Sequence, residues 1–298
     1  MAKKPYVPLP VRPDADSSFI QKKIYDIPYA SQSEAQKLDL YYPNEGEGPF
    51  PTIVYFHGGG FFMRDKKDDQ CQLFLNLTCK GFAVASCNYR LTVEAPFPAF
   101  LKDASNALRY LKENSDDLKL DPGRFALAGQ SAGGYIAAML AATAESREFS
   151  DPESADTDLS VRACIDLFGT VDFSTSADQL RRNGRSGPGL SCAPRPVLAL
   201  FFGVERLDQV THEMLDQSNI LRYVTSSMPP TLVQHGFRDH LVAVQQSEQL
   251  VDCIRERTCD ENAVFDILSD ADHDDPLFLT EENISRIYRF LKDTVLNP

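Results

Sequence analysis

The 298-residue chain has no apolar run approaching the roughly 18 residues that would cross a bilayer, so no membrane partner is expected. Its first residues include two lysines, but no apolar core region follows them, and the segment does not read as a secretory signal. No Lys/Arg-rich stripe offsets the acidic excess: 30 Lys and Arg stand against 43 Asp and Glu, a formal net charge of −13. Such a field repels phosphate backbones, so nucleic acid is not an expected partner either. None of the seven cysteines forms a CxxC pair, and an odd number cannot all pair internally. Cys71, Cys79, Cys87, Cys164, Cys192, Cys253 and Cys259 therefore read as free thiols of a reducing compartment, and the expected location is cytoplasmic. His and Cys never cluster at ligand spacing, so neither a metal nor an organic cofactor is expected. Internal repeats and low-complexity tracts are absent too.

What remains is ordinary globular material, 43% hydrophobic and 24% charged, long enough to bury one large core without disulfide staples. Residues 1–18 are rich in Pro and Asp and read as an extended arm. Strands are expected at 24–29, 38–42, 52–56, 82–87, 124–128, 162–168, 231–234 and 263–268, from alternation or from short β-branched and aromatic runs. Helical spacing appears over 98–114, with Leu101, Ala104, Leu108 and Leu111 on one face, and over 135–144, 243–257 and 281–295. Asp121-Pro122-Gly123 reads as a turn ahead of the fifth strand. The alternation of strand and helix implies one α/β domain, a mostly parallel sheet with helices on both faces. Residues 172–227 break that rhythm and read as a cap-like insertion over the carboxyl edge of the sheet, not as a second domain.

Gly129-Gln130-Ser131-Ala132-Gly133 lies between an expected strand and an expected helix. A serine nucleophile held out on a tight strand-to-helix turn needs small neighbours two residues to either side, and glycine occupies both places. The helix start that follows presents N–H groups to developing negative charge. His57-Gly58-Gly59-Gly60 directly follows the strand at 52–56. Three consecutive glycines cost backbone entropy, which points to unusual dihedrals or a close approach. Such a loop can aim bare N–H groups at an oxyanion, so the hole is assigned to Gly59, Gly60 and Ala132, with Gly58 the nearest substitute.

Five histidines compete for the role of base. His57 belongs to the glycine loop, His212 to a polar stretch of the insertion, His235 to the end of a strand, and His240 to a loop beside Asp239. His273, between the last strand and the last helix, is left as the base by position. The loop after the penultimate strand offers Asp239 as its orienting carboxylate. Asp270, Asp272, Asp274 and Asp275 crowd His273 in sequence and stay open as alternatives. The chain order Ser, Asp, His is that of the α/β-hydrolase fold.

HGGGFF, NYRL with EAPFP, DPGRFALAGQSAGG and HGFRD with DHDD, in that order over about residues 38–290, resemble the esterase and lipase family related to hormone-sensitive lipase. The likeness is greatest to its small-ester branch of acetyl-xylan and feruloyl esterases. The resemblance implies an α/β-hydrolase fold and two-step acyl transfer through an acyl-enzyme on Ser131, with no cofactor. Two departures stand out: Gln130 replaces the acidic residue common before the nucleophile, and Asp274 and Asp275 follow the base, where they are expected to raise its basicity. The expected substrate is a small-molecule ester, short-chain or acetylated. Arg181, Arg182 and Arg185 are candidates for gripping a carboxylate, and Phe61, Phe62, Phe201 and Phe202 for an acyl or aromatic pocket. An amidase or peptidase of the same fold, such as an arylformamidase, and a non-catalytic binding protein remain as alternatives. The residues do not fix an oligomeric state; a homodimer, if formed, would use an edge strand or the last helix.

Overall fold

The computed structural model describes residues 12–151, 157–185 and 195–297. Eight strands form one sheet: β1 Lys23–Pro28, β2 Lys37–Tyr41, β3 Phe50–Phe56, β4 Ala83–Cys87, β5 Leu120–Gln130, β6 Ala163–Leu167, β7 Thr231–Gly236 and β8 Ala263–Leu268. Their spatial order is β1-β2-β4-β3-β5-β6-β7-β8. The β1–β2 and β2–β4 pairings are antiparallel, and the five from β4 to β8 are parallel. Helices α1 Gln72–Leu75, α2 Ala99–Glu113, α3 Ala132–Thr143, α4 Phe173–Arg182, α5 Val197–Phe202, α6 His212–Gln217, α7 Val244–Arg257 and α8 Glu281–Leu291 flank the sheet, with 3-10 turns between some of them and a π-helical turn at Lys292–Leu296.

Strand β3 shows why the sheet is covered on both sides. Val54 and Phe56 enter a core shared with α2, α3 and α7, while Ile53 and Tyr55 enter a second core shared with α1 and α8. Successive side chains of a strand point to opposite faces, so a continuous apolar run needs apolar cover on each. Helix α3 is buried on every side, which its small alanines permit.

Several boundaries differ from the sequence reading. Asp121-Pro122-Gly123 is not a turn ahead of β5 but an outward loop inside it. Phe50 pairs with Leu120 and Thr52 with Phe125, so the intervening residues of β5 bulge from the ladder. The bulge is held by the Gly123 N–H on Asp121 Oδ1 (3.0 Å) and by the Arg124–Asp121 ion pair. Helix α3 starts at Ala132, immediately after the serine, three residues earlier than its alanine run suggested. Within 172–227 the chain forms α4, α5 and α6; α4 is started by the Asp172 carboxylate, which caps the Ser174 N–H. Residues 12–15 of the arm lie along the segment after β3: Ala15 N–H bonds Lys67 O and Asp69 N–H bonds Pro13 O. Residues 1–11 lie outside the described residues.

The parallel strands fix where the loops meet. The segments after β3, β5, β7 and β8 all leave the carboxyl edge, and β3 lies beside β5 in the sheet. That edge is where open α/β sheets place ligands.

Packing of α3 on the sheet also buries an acid. Asp166 of β6 is fully buried, and a Cβ on Gly134 or Gly169 would lie 2.1 or 2.4 Å from its Oδ1. Its Oδ1 accepts the Gly169 N–H, whereas its Oδ2 has no hydrogen-bond partner among the described residues. Burial pushes its carboxyl up from 3.8 to about 7, partly offset by attraction to His235 and by the Gly169 bond. A pKa raised by folding stabilises at low pH and withdraws that stability as pH climbs toward the raised value. Asp166→Asn is therefore expected to gain on the parent by roughly 1–4 kcal/mol between pH 4 and 8, read by urea unfolding across that range; a constant difference would place the burden elsewhere.

Candidate active site

Ser131 sits at φ 54°, ψ −117°, between the last residue of β5 and the first of α3. This is the strained elbow that the flanking glycines foretold, and its physical cause is visible. A Cβ on Gly129 would lie 2.0 Å from Gly133 O, and one on Gly133 would lie 1.9 Å from Phe56 O. The helix can start this close to β3 only where neither residue has a side chain.

The structure brings Ser131, His273 and Asp239 into one hydrogen-bonded line. His273 Nε2 is 2.9 Å from Ser131 Oγ, and His273 Nδ1 is 2.7 Å from Asp239 Oδ2. Asp239 is buried, and its other oxygen accepts the N–H groups of Leu241 and Val242, each at 2.8 Å. Burial by itself would push this carboxyl up; attraction to His273 and hydrogen bonds from His235 and His273 outweigh it and hold the group below the ordinary carboxylate range. It therefore stays ionised and can fix the tautomer of the imidazole that bridges it to the serine.

The loops carrying this line are joined to each other. Phe237 N–H bonds Leu268 O, Arg238 N–H bonds Ala271 O, and Asp272 Oδ1 accepts the backbone N–H groups of both His240 and His273. Gly236 permits the crossing, because a Cβ there would lie 2.4 Å from Ala271 O. Phe168 places its ring edge-on to the His273 imidazole at 4.8 Å.

The four competing acids are engaged elsewhere. Asp270 pairs with Arg238, and Asp272 holds the His240 ring. Asp274 pairs with Arg12 and Gln70, and Asp275 caps Leu277. The carboxylates of Asp274 and Asp275 are thus directed to partners other than the imidazole whose basicity they were expected to raise.

In the glycine loop, Gly58 N–H donates to Gln70 Oε1 at 3.1 Å and is not available to a substrate. Gly59 (φ 107°) and Gly60 (φ 59°) are partly open, and among the described residues their N–H groups and that of Ala132 have no partner. His57 braces the loop from beneath: its Nδ1 bonds Gly58 O at 2.8 Å, and its ring stacks on Tyr89 at 4.5 Å. Burial lowers the His57 pKa to about 4, so it is neutral in the working range.

His235 is closer to the site than its sequence position indicated. Buried at the end of β7, it lies with Nε2 3.0 Å from Val242 O and 3.2 Å from Asp239 Oδ2, and with Nδ1 2.7 Å from Ser247 Oγ. A carbonyl and a carboxylate both require a proton on Nε2, so in the neutral tautomer the Ser247 hydroxyl donates to Nδ1. The motif HGFRD held a signal, the four-residue spacing from His235 to Asp239, but not the direction of either side chain. His212 is exposed on α6.

The candidate substrate residues are mostly engaged within the protein. Arg181 pairs with Asp178, Arg185 donates to Asp239 O, and Arg182 is exposed. Phe61, Phe62, Phe201 and Phe202 are buried, and Phe61 packs on Phe100, Tyr135, Phe173 and Phe201. These rings form core beneath the glycine loop. Among the described residues no group of three His, Cys, Asp or Glu could hold a metal ion, and no helix is long and apolar enough to cross a membrane. Six cysteines are free thiols; Cys192 lies outside the described residues.

With this geometry in place, comparison with known proteins gives a consistent picture. The BD-FAE family model matches residues 38–254. The chain is 26% identical over 233 residues to the probable carboxylic ester hydrolase LipM of Mycobacterium tuberculosis, covering 78% of this chain and 51% of that protein. It is 25% identical over 243 residues to the isoprenylcysteine alpha-carbonyl methylesterase ICME of Arabidopsis thaliana, 81% of this chain and 55% of that one. The chain spans about half the length of these curated relatives. Among solved structures, a truncated carbohydrate esterase from gut microbiota superposes with a TM-score of 0.80 at 22% identity, covering 96% of this chain and all of that one. A Thermogutta terrifontis esterase gives 0.68 at 18% identity, covering 90% and 91%. The fold expected from the motifs, that of the α/β hydrolases, is the one these structures share with the chain.

The elbow yields a direct test. Gly133→Ala places a methyl against the Phe56 carbonyl, and it is expected to cost about 3 kcal/mol or more of stability in urea unfolding. A variant as stable as the parent would mean that α3 can retreat from β3 without cost.

Proposed function

The chain belongs to the BD-FAE family, and from that premise we propose that it is a serine carboxylesterase acting on short-chain or acetylated small-molecule esters. The observation that carries the reading is the line Asp239–His273–Ser131, with contacts of 2.7 and 2.9 Å, beside three N–H groups that have no partner among the described residues.

In this reading Ser131 Oγ attacks the ester carbonyl while His273 Nε2 takes its proton. Negative charge gathers on the former carbonyl oxygen, where the N–H groups of Gly59, Gly60 and Ala132 receive it. Ala132 is the first residue of α3, so the helix dipole adds to that stabilisation. The imidazolium, stabilised by Asp239, returns its proton to the departing alcohol and leaves an acyl-enzyme. Water then repeats the sequence under the same base and releases the acid and free Ser131. The net negative charge of the protein favours departure of that carboxylate.

A preference for small acyl groups is supported by the aromatic packing. Phe61 follows Gly60 directly, Tyr135 lies one turn along α3 from the serine, and their rings meet edge to face at 5.4 Å. Phe201 and Phe173 close the space behind them. The names of the relatives, carboxylic ester hydrolase and carbohydrate esterase, support ester chemistry. The free thiols support a reducing compartment, the cytoplasm.

A fluorophosphonate probe should label the wild type and not Ser131→Ala. Turnover of p-nitrophenyl acetate is expected to exceed that of the octanoate, and to fall by about 10⁴-fold or more in the variant. Labelling that persists in Ser131→Ala would transfer the nucleophile to another residue, and preference for an anilide over the matching ester would favour the amidase reading. Asp239→Asn keeps the shape but loses the charge that orients His273, and a fall in kcat of about 10⁴-fold is expected. A loss below tenfold would assign the orienting role to another acid.

A further inference from the structure

Gln70 is a buried amide in the 3-10 turn Asp69–Cys71, and it joins two loops that the proposed chemistry uses but that are remote in sequence. Its Oε1 accepts the Gly58 N–H at 3.1 Å, and its Nε2 donates to Asp274 Oδ2 at 3.0 Å. The two partners fix the amide's orientation: reversed, it would set NH₂ against an N–H and a carbonyl against a carboxylate. Asp274 follows the proposed base directly and adopts φ 57°. The same oxygen, Oδ2, is also held by Arg12 Nη2 at 2.8 Å, and Arg12 Nη1 pairs with Asp69 at 3.0 Å.

On the glycine side, the peptide between His57 and Gly58 is held at both ends. Tyr89 Oη donates to His57 O at 2.8 Å, and Gln70 accepts the Gly58 N–H. The next carbonyl, Gly58 O, is held by His57 Nδ1. The first N–H left unpartnered is then that of Gly59, which defines where the donors begin. A run of three glycines has little stiffness of its own, so its geometry must come from such pins.

We propose that Gln70 is a positioning residue that sets the oxyanion loop and the base loop in register with each other, using Asp274 as its second anchor and Arg12 of the arm as the clamp on that anchor. The proposal rests on the serine-esterase reading above for its catalytic consequence. Its mechanical part, one side chain restraining two loops, stands on the hydrogen bonds alone. Removing Gln70 releases the Gly58 N–H as a competing donor and frees the residue next to the base, so the loss falls on the transition state more than on substrate binding.

The test is a charge exchange. Gln70→Ala, Gln70→Glu, Asp274→Asn and the double variant Gln70→Glu/Asp274→Asn are compared with wild type for kcat and KM on p-nitrophenyl acetate. Hydrogen–deuterium exchange is followed in the peptides covering 56–63 and 268–276. Gln70→Ala, and Gln70→Glu with two carboxylates facing, are expected to lower kcat about 10- to 100-fold with KM within threefold. Both should also speed exchange in both segments. In the double variant one oxygen of the carboxylate at position 70 keeps the Gly58 N–H, the amide at position 274 donates to the other, and Arg12 pairs with the relocated carboxylate, so kcat should recover to within about threefold. Unchanged kcat in folded Gln70→Ala, or no recovery in a folded double variant, would overturn the catalytic role. Exchange that rises in only one segment would overturn the bridge. If the wild type neither labels with the fluorophosphonate nor turns over, the esterase reading fails, and the exchange data still decide whether Gln70 couples the loops.

Discussion

The arrangement of the site depends on one steric constraint, the approach of α3 to the end of β3. With Gly133 lying against the Phe56 carbonyl and Gly129 against Gly133, the chain has no room for a relaxed strand-to-helix turn. Ser131 absorbs the misfit at φ 54°. The strain is offset by a helix buried on all sides and by Ser131 N–H on Leu167 O at 2.8 Å. The same approach brings the first N–H of α3 beside the loop that leaves β3, so the proposed nucleophile and the proposed oxyanion donors arise from one packing event.

Around that elbow the polar groups are arranged to keep charge where the reaction would use it. Asp239 is buried but accepts two backbone N–H groups, His273 and the shared proton of His235. A carboxylate so supplied remains ionised despite its burial. Asp272, nearer to His273 in sequence, is spent instead on holding the backbone of both loops together. Neighbouring acids with similar chemistry are thus separated in function by the directions their loops impose.

Much of the frame was legible in the residues. All eight strands stand near their expected places, because apolar runs and alternation report directly on whether one or both faces are covered. The errors have physical causes. Asp-Pro-Gly signals a turn, and it does turn, but as a bulge that the flanking pairs close around. Helix α4 is short and polar, and its start depends on a single Asp172 cap. Arg181 is taken up by an ion pair, Arg185 by a backbone carbonyl and Phe61 and Phe201 by ring packing, which composition does not reveal.

Contiguous residues determined by themselves what is local: the elbow at Ser131 and the glycine loop, since steric need and backbone freedom act over a few bonds. Tertiary structure decided which groups meet. Ser131 and His273 are 142 positions apart, and Gln70 and Asp274 are 204. His235 and Asp239 are close in sequence, but only the fold turns their side chains together. Hydrogen bonds act over about 3 Å, so the choice among acids and histidines was made when the parallel sheet brought the carboxyl ends of β3, β5, β7 and β8 to one edge.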